Sequence, residues 1–215
     1  MIAGADEAGR GPILGPMVLG VVLSDERVQE ELKSDGIRDS KILSPKRREK
    51  LAELIRKKAS KVEIIEISNV EIDESRLVKN VNLNELEAMK FAQLIEKLNP
   101  KLVYMDSPDP NPELFEKRIR KYLKVRPKLV VENFADRNYP LVAAASIVAK
   151  VYRDHCVAKL HGRYGDFGSG YPADPRTITF LNSWVQEHGK LPDFARKSWA
   201  TARRIEGRTK QRKID

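Results

Sequence analysis

The stretch MIAGADEAGRGPILGP, residues 1–16, decides how the rest of the chain is organised. A short apolar segment leads into two neighbouring carboxylates, Asp6 and Glu7, and the glycines and proline that follow interrupt regular strand pairing. We therefore predict an inner strand that ends at the acidic pair. The two carboxylates repel each other, and this stretch offers no His or Cys ligand, so a hard cation with oxygen ligands, such as Mg²⁺, is indicated. The alternative is an exposed acidic turn.

The residues directly after the acidic pair have the features of a ligand-contacting loop. Gly9 and Gly11 let the main chain approach a ligand closely and offer bare amide groups. Arg10, between them, is a planar cation suited to a phosphate or a carboxylate. The segment is therefore predicted to contact an anionic ligand.

Length and composition bound the class of protein. A chain of 215 residues and 24.5 kDa has room for one large domain with a small appendage. Its single cysteine, Cys156, allows no internal disulfide. The N-terminal residues lack a signal-peptide pattern, and no apolar segment is long enough to cross a bilayer, so a cytoplasmic location is expected.

The charge of the chain is concentrated near its C-terminus. The formal net charge is +9 and the isoelectric point is near 9.6. Residues 190–215 hold nine basic and three acidic residues. Clustered Lys and Arg favour a nucleic-acid partner, because binding releases the counterions of the phosphates. A merely solvated basic tail is the alternative.

Carboxylates also follow two later predicted strands. Residues 17–23 form an apolar run that predicts a strand in a hairpin with the first. Residues 101–105 and 128–132 predict two further strands with a helix between them, and they are followed by Asp106 and Asp136. This succession implies a parallel core, in which ligands bind beyond the carboxyl ends of the strands. Carboxylates at three strand ends are therefore predicted to converge, although an Asp after a strand can also simply open a turn.

Two further residues are candidates for substrate contact. Lys41 precedes a predicted helix with Ser44 as N-cap and Pro45 in its first turn, a place where a phosphate binds well. An ordinary surface lysine is the alternative. Tyr171 lies in the glycine-rich loop of residues 162–175, where it could stack on a sugar or base or donate to a hydroxyl. A packed turn is the alternative there.

Five segments together carry a resemblance to a known family. They are DEAGRG at residues 6–11, DSKIL at residues 39–43, the Asp of YMDS at Asp106, the segment from Asp136 into YPLVAAASIVAKVYRD, and GSGYPADP at residues 168–175. In this order and spacing they resemble type 2 ribonuclease H (ribonuclease HII) of the archaeal kind. The resemblance covers nearly the whole chain.

The resemblance implies a fold, an activity and a cofactor. The fold is α/β, a ribonuclease H-like mixed five-stranded sheet flanked by helices, with a catalytic domain at residues 1–175 and a small, basic, helical substrate-binding extension at residues 176–215. The activity is that of an endonuclease that hydrolyses the RNA strand of RNA·DNA hybrids and cuts at ribonucleotides embedded in duplex DNA. The cofactor is Mg²⁺ or Mn²⁺, and two ions about 3.5–4 Å apart would serve the hydrolysis.

The resemblance also assigns roles to individual residues. The implied catalytic residues and metal ligands are Asp6, Glu7, Asp106 and Asp136. The implied substrate-binding residues are Gly9, Arg10, Gly11 and Tyr171, which sense the ribose 2′-hydroxyl, and Lys41, which holds a phosphate. The chain departs from the family at Asn133-Phe134, where relatives usually carry His-Lys.

Two other classes of function share these residues. One is a nuclease of the same architecture that cuts branched DNA, such as a junction resolvase, and the other is a binding protein whose carboxylates are relics. A monomer is expected. Residues 209–215, TKQRKID, show no sliding-clamp-binding peptide.

Overall fold

A five-stranded mixed sheet forms the centre of the fold, as predicted. The computed structural model describes residues 1–37 and 43–211, with side chains described as far as residue 207. The strands are β1 (Ile2–Ala8), β2 (Met17–Ser24), β3 (Lys61–Ile67), β4 (Leu102–Asp106) and β5 (Lys128–Glu132). Their order across the sheet is β3-β2-β1-β4-β5, which places β1 in the middle.

The strand pairings agree with the sequence prediction. β1 and β2 form an antiparallel hairpin from Ile2↔Ser24 to Ala8↔Val18. β1 pairs in parallel with β4, and β4 pairs in parallel with β5. The three strands expected to carry acidic residues at their ends are therefore neighbours that run in the same direction.

Eight α-helices and two short turns complete the described part of the chain. The helices are α1 (Glu26–Ser34), α2 (Pro45–Lys58), α3 (Asn69–Asp73), α4 (Leu83–Leu98), α5 (Pro112–Tyr122), α6 (Pro140–Tyr164), α7 (Pro175–His188) and α8 (Ala200–Gln211). The turns are a π-helical turn, Glu74–Val78, and a 3₁₀ turn, Ala135–Arg137. Ser44 is the N-cap of α2, as predicted, and accepts a hydrogen bond from the Arg47 amide. In the described residues no helix has the length and apolar character needed to cross a membrane.

The chain forms two compact units. The first comprises residues 1–8, 18–66 and 83–153. Its core includes Val22, Leu32 and Ile55, which pack with a small-residue stretch of α6 around Ala144. These alanines let the helix lie close to the sheet.

The second unit comprises residues 9–17, 67–82 and 154–215. Its core brings Ile13 and Leu14 together with Phe167 and with residues of α7 and α8. The last segment of this unit begins at residue 154, whereas the predicted domain boundary lies at residue 175. The unit also contains two earlier segments of the chain, residues 9–17 and 67–82. The substrate-binding role of residues 176–215 stays a prediction.

Gly4, in the middle of β1, marks the closest approach of sheet and helix. A Cβ atom built at Gly4 would lie 2.1 Å from the main-chain carbon of Leu141 and 2.4 Å from the nitrogen of Val142. Both atoms belong to the backbone of α6, which cannot turn aside as a flexible side chain could. The central strand therefore requires glycine at this position.

We predict that Gly4→Ala lowers the free energy of unfolding by about 3 kcal/mol or more, because the added methyl group forces β1 and α6 apart. Gly162→Ala is the matched control. It lies within α6, and no other part of the described chain comes within 4 Å of the added Cβ, so it should stabilise the protein by up to about 1 kcal/mol through helix propensity. Urea unfolding of both variants measures the difference, and equal stabilities would contradict the predicted close approach.

Candidate active site

The sheet places Asp6 and Asp106 side by side. The parallel register of β1 and β4 runs through Ala5↔Met105, so the next residues along both strands are the two aspartates. Asp106 is the last residue of β4. β1 extends to Ala8, one residue beyond the acidic pair at which it was predicted to end, because its pairing with β2 continues that far.

Asp6 is a buried carboxyl group among other carboxylates. It is 5% exposed. Burial, followed by the negative charges of Glu7 and Asp106, raises the pKa of Asp6 well above its usual value. Hydrogen bonds from the Ser146 side chain and the Glu7 amide act in the opposite direction, the latter at 2.7 Å to Oδ1. The net effect is a site that favours a bound proton or a metal cation.

Asp136 lies just after β5, and a main-chain hydrogen bond connects its turn to Asp106. It is 3% exposed and belongs to the 3₁₀ turn that follows β5. The amide of Ala135, its neighbour in that turn, donates to Asp106 Oδ1 at 2.7 Å. The Asn133 side chain donates to the carbonyl oxygens of Ser107 (3.2 Å) and Asp109 (2.9 Å), which connects the loops after β4 and β5.

The donor chemistry suits a hard divalent cation. Carboxylate oxygens are the groups that these strand ends bring together, and such oxygens favour Mg²⁺ and Mn²⁺. As the side chains stand, the described residues contain no group of three or more His, Cys, Asp or Glu that could hold a metal ion. The carboxylate oxygens therefore suit a divalent cation, and the buried negative charge at Asp6 favours one, although the described side chains do not form a complete set of ligands.

The predicted substrate-binding residues Gly9, Arg10, Gly11 and Tyr171 all belong to the second unit. The structure brings Gly11 and Tyr171 together, since a Cβ atom at Gly11 would lie 3.2 Å from Tyr171 Cε1. Gly9 has a φ of 80°, a value that favours glycine. Tyr171 is 42% exposed, so its ring is accessible to a ligand. Lys41 lies outside the described residues.

The loop that carries Tyr171 is fixed by the N-cap of α7. The Asp174 carboxylate accepts hydrogen bonds from the amides of Ser169 (2.7 Å) and Arg176 (2.9 Å). These bonds, the one from Ser169 first, lower the pKa of Asp174 to about 2. The Gly170 carbonyl in turn accepts from the amides of Ile13 and Leu14. Tyr171 therefore projects from a loop with a defined conformation.

Two residues at these places were not predicted from the sequence. Ser146 is a polar residue in an apolar stretch of α6. Its position within a run of alanines and branched residues is the sequence feature that could have identified it. Arg196 counts among the basic C-terminal residues, yet it is completely buried. Its partners lie more than 180 positions away in the chain, and no local pattern reveals them.

The strand order, the hairpin of β1 and β2, and the parallel β4 and β5 define a ribonuclease H-like fold. Within that class, the sequence identifies the family. Residues 3–202 match the family model described as Ribonuclease HII, and the chain belongs to this family.

Individual relatives cover nearly the full chain. Ribonuclease HII of Thermofilum pendens is 49% identical over 209 residues, which is 95% of this chain and 98% of the relative. The crystal structure of ribonuclease H2 from Pyrococcus horikoshii OT3 aligns with a TM-score of 0.91 at 42% identity, covering 98% of this chain and 99% of that one.

A third relative is known in a complex. The structure of the PCNA:RNase HII complex from Archaeoglobus fulgidus aligns with a TM-score of 0.86 at 40% identity, over 95% of this chain and 96% of that chain. That partner belongs to the relative. The expectation that residues 209–215 of this chain carry no clamp-binding peptide stays a prediction, and residues 212–215 lie outside the described part of the chain.

Family membership establishes the class of reaction. The protein is a ribonuclease H, a hydrolase that acts as an endonuclease, and it shares the divalent-metal dependence of its family. The roles predicted for its individual carboxylates stay predictions.

We predict that Asp6→Asn stabilises the metal-free protein at pH 8, on the order of 1 kcal/mol or more, because it removes a buried negative charge that Glu7 and Asp106 repel. Since the pKa of Asp6 is raised in the folded state, the wild type loses stability as the pH rises from the unfolded value through the folded one. The advantage of the variant should therefore vanish as the pH falls towards about 4. Urea unfolding in EDTA from pH 4 to 8 measures it, and a variant that is less stable at pH 8 would contradict the prediction.

Proposed function

We propose that this protein hydrolyses the RNA strand of RNA·DNA hybrids and cuts at single ribonucleotides embedded in duplex DNA, as a monomer in the cytoplasm. The observation that carries the proposal is the buried Asp6, flanked by Glu7 and Asp106, at the carboxyl ends of adjacent parallel strands in a chain of the ribonuclease HII family. A role in removing ribonucleotides from DNA follows from the second activity.

Four carboxylates are proposed as catalytic residues and as ligands of Mg²⁺ or Mn²⁺: Asp6, Glu7, Asp106 and Asp136. Two bound ions would activate the attacking water and stabilise the leaving 3′ oxygen. The chain itself orients the ligands. Ser146 holds Asp6 through its side chain, and the Ala135 amide holds one oxygen of Asp106. The raised pKa of Asp6 means that metal binding must displace a proton from this carboxyl group as the pH falls.

Recognition of the substrate is assigned to the second unit. A ribose 2′-hydroxyl both donates and accepts hydrogen bonds, and it distinguishes RNA from DNA. Main-chain amides of Gly9, Arg10 and Gly11 can donate to it, and the Tyr171 hydroxyl can serve either function. Basic residues of the C-terminal segment would add sequence-independent contacts to phosphates.

Cleavage of a DNA duplex that contains one ribonucleotide tests the proposal. With Mg²⁺ or Mn²⁺ the protein should cut at the ribonucleotide, and it should cut neither the same duplex in EDTA nor an all-DNA duplex of the same sequence. A branched all-DNA duplex completes the set, because cutting it would instead favour a junction resolvase. Failure to cut at the ribonucleotide with any divalent ion would refute the proposal.

We predict that Asp106→Asn reduces kcat on an RNA·DNA hybrid by on the order of 10³, equivalent to about 4 kcal/mol, because a metal ligand is lost. Hybrid affinity should change by less than about threefold, since the phosphate contacts remain. Asp109→Asn is the matched control: it is three residues away and bonded to Arg118 at 2.7 Å, so it should affect stability more than kcat. A near-normal rate for Asp106→Asn would exclude its role as a ligand.

The departure from the family at Asn133-Phe134 generates a further prediction. Phe134 is 57% exposed and has a φ of 60°, and the Arg137 guanidinium lies 4.8 Å from the centre of its ring. A cation is therefore already present beside the position where the family usually carries lysine. A lysine would add only a screened electrostatic effect, whereas a metal ligand acts directly on the ion.

Phe134→Lys should consequently change the rate at saturating Mg²⁺ by less than about tenfold. Asp136→Asn should lower it by more than about a hundredfold, roughly 2.7 kcal/mol. Steady-state rates on a hybrid measure both variants. The opposite order would show that Asp136 is not a ligand.

A further inference from the structure

Arg196 is completely buried in the second unit, and its guanidinium binds three carbonyl groups of the loop at residues 9–15. Nη2 donates to the Gly9 carbonyl at 2.6 Å, Nη1 to the Arg10 carbonyl at 2.9 Å, and Nε to the Gly15 carbonyl at 3.0 Å. A guanidinium presents its donors in a rigid, planar fork. It therefore fixes the directions of these carbonyls as well as their positions.

Two further bonds complete the set. Trp199, whose ring lies 4.9 Å from the Arg196 guanidinium, donates from Nε1 to the Gly11 carbonyl at 3.1 Å. The main-chain amide of Arg196 donates to the Ile13 carbonyl at 2.8 Å. Three consecutive carbonyls of the loop, at residues 9, 10 and 11, are thus directed towards the same pair of side chains.

The directions of these carbonyls also fix the directions of the N–H groups that follow them, because the peptide bond is planar. In a trans peptide, the carbonyl of one residue and the N–H of the next point in opposite directions. Because Arg196 holds the carbonyls of Gly9 and Arg10, the N–H groups of Arg10 and Gly11 point away from it. The Gly11 carbonyl precedes Pro12, which has no N–H, so the Trp199 bond restrains a peptide without a donor.

We propose that Arg196 is a positioning residue for ribose recognition: it directs the amides of Arg10 and Gly11 outward as a pair of donors for the 2′-hydroxyl. This inference rests on the proposed function, since it concerns the same loop. Arg196 does not touch the substrate in this account. It acts through the loop, and so it determines the selectivity of the enzyme for ribose.

Helix α3 braces the segment that carries Arg196. The Asp73 carboxylate accepts from the amides of Lys197 (2.7 Å) and Ser198 (2.8 Å), and the Asn69 side chain donates to the carbonyls of Asp193 (2.7 Å) and Ala195 (3.2 Å). Arg196 is therefore held on both sides along the chain. Weakening this support should loosen the loop without removing the guanidinium.

The test compares Arg196→Lys with the wild type on two duplexes of the same sequence. Cleavage of the duplex with one ribonucleotide gives kcat/KM, and inhibition of that reaction by the all-DNA duplex gives Ki. Lysine keeps the charge but cannot bond three carbonyls in one plane. Arg76→Lys is the matched control, because Arg76 places a second guanidinium 4.8 Å from the same Trp199 ring.

For Arg196→Lys we expect kcat/KM to fall at least tenfold while Ki changes less than twofold, and for Arg76→Lys we expect both to stay within twofold of the wild type. A general structural defect would weaken the binding of both duplexes, so that kcat/KM would fall and Ki would rise by the same factor. That result would overturn the proposal, as would a kcat/KM within threefold of the wild type.

Asp73→Asn keeps the test decisive if Arg196→Lys fails to fold. It replaces one carboxylate oxygen by an NH₂ group opposite a main-chain donor, and it should lower kcat/KM about three- to tenfold with Ki unchanged. In that case an unchanged kcat/KM for Asp73→Asn would overturn the proposal. The wild type distinguishes failure of the proposed function from failure of the role proposed for Arg196. If the wild type does not cut the duplex with one ribonucleotide in preference to the all-DNA duplex, the proposed function itself fails.

Discussion

The structure depends on one electrostatic constraint, the burial of the Asp6 carboxyl group in the central strand beside two other acidic side chains. Burial and the charges of Glu7 and Asp106 both oppose its ionisation. A fold gains no stability from such an arrangement, which makes a role in stability a poor explanation for it. A divalent cation relieves the burial cost and the repulsion together, and family membership provides the reaction that uses one.

The rest of the first unit can be understood as the support for this site. β1 must lie between β2 and β4 for Asp6 and Asp106 to be adjacent, and Gly4 allows α6 to approach β1 closely enough to bring Ser146 to Asp6. The Ala135 amide then ties the turn that holds Asp136 to the end of β4. In the second unit, hydrogen bonds from Arg196 and Trp199 give the loop at residues 9–15 a defined conformation.

The sequence predicted those features whose signals are local. Ser44 and Pro45 marked the start of α2, and the apolar runs at residues 17–23, 101–105 and 128–132 marked β2, β4 and β5. The end of α6 at Tyr164 is local as well, since it coincides with Gly165, whose φ is 81°. Arg196 was missed because its bonds join residues up to 187 positions apart, and the same letters fit a solvated basic tail.

The most direct test of the account is a calorimetric titration of Mg²⁺ into the metal-free protein, in two buffers of different ionisation enthalpy and over a range of pH. The account predicts saturable binding that releases protons increasingly as the pH falls, because the cation must displace the proton that the raised pKa retains on Asp6. Both the binding and the proton release should be greatly weakened in Asp6→Asn. The absence of saturable binding, or binding that is unchanged in the variant, would contradict the central claim.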